Sequence, residues 1–231
     1  MRISFLPSRP VMAAALLAVA GLAAACASPA APPVGPPAAD TEFTIAVLPD
    51  TQNYLDYTHQ TAEGFPFDAR EMFLEQMQFV ADNLESEGGE IAFVSSLGDV
   101  WQHQMLAMDE EHRARGFKSV PNPIMDGHFA PTEKVKTVEM PTAHEGFSLI
   151  AGKTPFSVVP GNHDYDSMWT SAKFPPQAKE PADVDPNDLK TSLGVLHPGG
   201  LDNFRSVFGA ETVFFKDKPW YVGSHDGGAD S

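Results

Sequence analysis

Three polar residues stand where apolar runs stop. Residues 43–48 lead into Pro49-Asp50, residues 91–97 into Gly98-Asp99, and residues 155–159 into Pro160-Gly161-Asn162. Asp50 and Asp99 are carboxylates without an adjacent Lys or Arg, an unfavourable pair to bring together unless a cation neutralises them. In Gly161-Asn162-His163-Asp164 the glycine permits a tight turn, the asparagine offers a neutral amide oxygen, and the histidine offers a nitrogen or a proton. An oxygen-rich set with a shared carboxylate suits a two-metal hydrolytic centre. Its ions sit ~3.5–4 Å apart and clamp the attacking and leaving oxygens of a phosphoryl group.

Residues so far apart in sequence meet only if the three runs are neighbouring strands. In open α/β sheets, ligands bind at the carboxyl ends of the strands. The segments between the runs read accordingly. Asp68 is expected to cap a helix, with Glu71 as its capping-box partner. Phe73, Met77, Val80, Ala81 and Leu84 share one helical face, and Gly88-Gly89 closes the segment. Residues 101–115 are expected to be helical, 121–132 to be loop, and Pro141 to open a helix carrying Phe147, Leu149 and Ile150. The three apolar runs are expected to be buried strands. Alternating strands and helices predict an α/β fold. Residues 165–200 hold five prolines and little periodicity, which marks a functional or an irregular stretch. Tyr165 and Trp169 within it are candidates for a substrate pocket or for core packing. Trp220-Tyr221-Val222-Gly223 reads as a further strand, followed by His225 in a turn.

These motifs, Asp50-Thr51-Gln52, Gly98-Asp99-Val100-Trp101 and Gly161-Asn162-His163-Asp164, resemble in order and strand-end placement those of the calcineurin-like metallophosphoesterase superfamily over residues 43–164. The wording Pro49-Asp50-Thr51-Gln52-Asn53-Tyr54 is similar to a bacterial subgroup with Gln in the first motif. The resemblance implies an α/β sandwich of mixed sheets flanked by helices, and two divalent metal ions (Mn, Fe, Zn or similar). Asp50 would bind the first, Asp99 would bridge both, and Asn162 would bind the second. His163 would sit beside the phosphate as proton donor or stabiliser of developing charge. The implied activity is metal-dependent hydrolysis of phosphate esters by in-line attack of a metal-bound hydroxide. Gln52 departs from the family's histidine, and its amide oxygen would ligate more weakly or hold a water. Gln102 stands where phosphoprotein phosphatases carry an Asp and purple acid phosphatases a Tyr, so the chain fits neither subgroup. The family's later single His and its G-H-x-H are absent. Residues 43–231 are therefore expected to be the N-terminal part of such a domain, its second half missing and its metal binding weak. The alternative is a surface-anchored binding module on the same fold, without complete catalytic machinery. G-x-S-x-G, H-E-x-x-H and Walker A motifs do not occur.

The whole chain sets the setting. Thirty-one acidic against 15 basic residues give 231 residues a net charge of −16, which argues against a scaffold gripping nucleic-acid phosphates. One cysteine excludes an internal disulfide and Cys₄ or Cys₂His₂ zinc modules. Arg2 and Arg9 precede an apolar run over 11–25 that ends at Cys26 in a lipobox-like pattern, with ordinary signal cleavage as the rival reading. Residues 1–26 are thus expected to be a signal peptide of lipoprotein type. The Pro/Ala-rich stretch 27–42 is expected to be a tether of ~45 Å that holds the domain off a membrane, facing the periplasm or cell exterior. Of the other histidines, His103 is expected to be exposed or packed on a helix, and His59, His112, His128, His144 and His197 to face solvent.

Overall fold

A computed structural model describes residues 42–55 and 59–224. The leader over 1–26, all but the end of the 27–42 tether, and His225 lie outside the described residues. In chain order the elements are β1 (Thr44–Leu48), α1 (Gln52–Leu55), α2 (Ala69–Asp82), β2 (Ile91–Ser96), α3 (Glu110–Ala114), α4 (Met140–Ser148), β3 (Phe156–Val158), β4 (Ser167–Thr170), α5 (Leu189–Leu193), β5 (Leu196–Gly199) and α6 (Asp202–Phe208). β1, β2 and β3 form a parallel sheet in that order, and β4 and β5 pair antiparallel. The fold is α/β. Among the described residues no helix is long and apolar enough to cross a membrane.

The parallel register matters most. Leu48 pairs with Ser96 and Ser96 with Val158, so all three strands end at one level. One face of the sheet packs on the helices. Val94, Phe156 and Val158 meet Phe73 and Met77 of α2, Phe147 of α4, and Phe204 and Phe208 of α6, all buried. Aromatic rings fill this layer: Phe147 meets Phe208 edge-on at 4.9 Å, and Phe156 lies 5.1 Å from Phe215. α2 and α4 approach closely because Gly146 has no side chain; a Cβ there would stand 2.4 Å from the Phe73 ring.

Several expectations are corrected. β1 is not buried: Ile45 and Val47 are 49 % and 52 % exposed on its outer face. An unbroken apolar run does not tell which face is covered, and β1 is an edge strand. The Asp68 side chain forms no capping box with Glu71; it accepts from Thr61 N–H and Thr61 Oγ1, both at 2.7 Å. Of residues 101–115 only Glu110–Ala114 is α-helical, because the preceding N–H groups are taken up by the carboxylates described below. The helix expected from Pro141 is preceded by a π-helical turn over Val135–Glu139. Residues 220–223 form no strand, and Tyr221 N–H closes a turn onto Lys218 C=O.

Candidate functional site

The loops after β1, β2 and β3 lie side by side at the carboxyl edge of the sheet and are bonded to one another. Asp99 is the junction. Its C=O accepts from Gln52 N–H at 3.0 Å, and its Oδ1 accepts from His163 N–H at 2.8 Å. Gly98 and Asp99 both take left-handed backbone conformations, with φ of 93° and 48°. For Asp that conformation costs about 1 kcal/mol or more. It turns the chain so tightly that a Cβ on Gly161 would fall 2.2 Å from Asp99 Oδ1, and one on Gly98 would fall 2.3 Å from Gly161 N. Glycine at both positions lets the second and third loops touch.

The structure therefore brings the sequence-predicted residues to one edge. Asp50 lies two residues past β1 and is exposed, as is Asn162 past β3. Gln52 opens α1, half-buried, and its Oε1 is buried without a hydrogen-bond partner. His163 is half-buried. Its Nδ1 lies 2.8 Å from the Gln102 C=O, which can only accept, so Nδ1 carries the hydrogen and Nε2 is the atom left for chemistry. Phe129 covers the imidazole at a ring-centroid distance of 5.2 Å.

Three supporting side chains carry roles that sequence reasoning did not assign. Asp164 is wholly buried beneath the junction. Its Oδ1 accepts from Val100 N–H at 2.8 Å and Trp101 N–H at 3.2 Å, and its Oδ2 accepts from Gly161 N–H at 2.8 Å. Burial pushes this carboxyl up to about 7, against the pull of those three bonds and with a further push from the Asp99 charge. Glu139, also wholly buried, accepts through Oε2 from Gln102 N–H at 3.0 Å and His103 N–H at 3.2 Å, and its Oε1 pairs with His103 Nδ1. His103 is thus half-buried against a carboxylate rather than against a helix surface. Gln104 donates from Nε2 to His163 C=O at 3.0 Å and accepts Thr132 N–H at 2.9 Å, pinning the segment after Phe129 onto the third motif. Asp164 was visible as the last residue of its motif. Glu139 gave no signal, because an acid inside an otherwise amphipathic stretch reads as a solvated position.

Other expectations resolve away from this edge. Tyr165 is half-buried and packs against the core. Trp169 is buried on β4, in an aromatic cluster with His112 at 4.9 Å and His197 at 5.7 Å. Neither histidine faces solvent fully. Among the described residues no three His, Cys, Asp or Glu side chains gather into one group. The donors at the strand ends are two carboxylates and two amides.

No protein-family model matches the chain, and neither does any curated protein or solved structure.

Proposed function

We propose that the strand-end loops form a metal-dependent phosphoesterase site. The observation that carries this reading is the position of Asp99, bonded to the first motif through Gln52 and to the third through His163. A carboxylate at that junction is suited to being shared between two cations. The buried, partnerless Oε1 of Gln52 supports the same reading, since a buried amide oxygen without a donor is rare and a cation would satisfy it. Asp50, Gln52, Asp99 and Asn162 would hold divalent ions, a donor set that suits hard and borderline metals such as Mn²⁺. When bound, such ions supply Lewis acidity and neutralise charge on the phosphoryl group.

The chain's own residues do the rest. The Gln102 C=O fixes the His163 tautomer and leaves Nε2 to give a proton to the leaving oxygen. Glu139 holds the 102–103 peptide, so the group that orients His163 is itself fixed by a buried carboxylate. The exported, lipid-anchored placement read from residues 1–26 belongs to the same proposal.

The test pairs metal titration with turnover. Mn²⁺ binding by calorimetry should be lost in Asp50→Asn and Asp99→Asn but kept in His163→Ala. His163→Ala should lose more activity on alkyl phosphates than on p-nitrophenyl phosphate, whose leaving group needs no proton. Mn²⁺ affinity unchanged by both Asp substitutions would sink the reading.

A further inference from the structure

A second feature lies on the other side of Phe129. The ring that covers His163 also lines a cavity of about 420 Å³ walled by Val120, Met125, Met168, Trp169 and Leu196. This volume is in the range that takes a small organic molecule. The wall contains no Lys or Arg, and its one charged residue is Asp126. A phosphate would be repelled there, whereas an apolar group would be welcomed. Trp169 carries a buried indole N–H with no acceptor, a vacancy that an acceptor oxygen on a ligand would fill. The wall is also held in place: Gln104 ties Thr132 to His163, and Val120 N–H donates to Thr170 C=O at 3.1 Å.

We propose that this cavity receives the organic part of the phosphate-ester substrate, an aromatic alcohol bearing an acceptor oxygen. The inference rests on the phosphoesterase reading for the position of the phosphoryl group. Phe129 separates the two compartments and contacts both the imidazole and the organic group. On hydrolysis the P–O bond to this alcohol breaks, water supplies the new P–O bond, and the departing oxygen takes its proton from His163.

The experiment uses the full chain and two readouts. Calorimetry with (6-methoxynaphthalen-2-yl)methanol, the free alcohol, should show saturable one-to-one binding. Met125→Trp, which fills the cavity from its loop wall, should weaken binding by about tenfold or more, about 1.4 kcal/mol, and Met125→Leu should preserve it. With Mn²⁺ present, KM for the phosphate ester of this alcohol should lie at least about tenfold below that for methyl phosphate, and Met125→Trp should erase the difference. Absence of alcohol binding together with equal KM for the two esters overturns the proposal while leaving the phosphoesterase reading intact. Alcohol binding that Met125→Trp abolishes, with neither ester hydrolysed, keeps the cavity as a ligand site and overturns the phosphoesterase reading instead.

Discussion

The main-chain N–H of His163 donates to Oδ1 of Asp99 at 2.8 Å, a bond that joins the second and third motifs through the side chain expected to carry the shared charge. Asp99→Asn keeps an acceptor for that N–H and removes the charge. Circular dichroism should be unchanged, while phosphoester hydrolysis should fall by about a hundredfold or more, about 2.7 kcal/mol of transition-state stabilisation. Near-normal turnover in this variant would show that the charge of Asp99 is not used.

The Asp164 carboxylate serves three main-chain donors from two loops while wholly buried. Asp164→Ala leaves Val100, Trp101 and Gly161 N–H groups without a partner. It should destabilise the fold by about 3 kcal/mol or more, with Asp164→Asn costing less because one oxygen is kept. Urea midpoints of the two variants rank them, and equal losses would contradict the bonding described.

Glu139 binds His103 through one oxygen and two main-chain N–H groups through the other. In Glu139→Gln the amide places N–H₂ against either the imidazole or the backbone donors, so one interaction must fail. Nitrogen-15 shifts of the His103 ring should report the opposite tautomer, and turnover should drop by about tenfold. An unchanged ring spectrum would mean that the carboxylate does not set the tautomer.

Asp109 caps α3 by accepting His112 N–H at 3.0 Å, and it meets Ser167 Oγ of β4 at 3.1 Å. Burial alone would raise this carboxyl, but the bonds from the His112 N–H and ring and from Ser167, with the His112 charge, together hold it below its ordinary 3.8. A depressed carboxyl contributes stability above its unfolded value and loses it as pH falls through the folded one. Asp109→Asn should therefore cost about 1–2 kcal/mol near neutrality, and the gap to wild type should close in acid, below pH 3.8. Urea unfolding across that range checks the sign.

The sequence by itself determined which residues could do chemistry and where the chain would turn. Asp50, Asp99 and Asn162 follow apolar runs, and parallel strands deliver their C-terminal loops to one edge, so the local pattern already implies the juxtaposition. It also determined the inward face of α2, because helical periodicity is a local property. Tertiary structure alone decided what holds the loops. Glu139 is buried because a π-helical turn carries it toward the 102–103 peptide, and neither partner shows this in its own neighbourhood. The same bonding took residues 101–108 out of the expected helix, since N–H groups held by Asp164 and Glu139 are not free for an i→i−4 ladder. The exposed face of β1 was equally illegible. An all-apolar run has no alternation, so only the packing of neighbouring elements decides which side is covered.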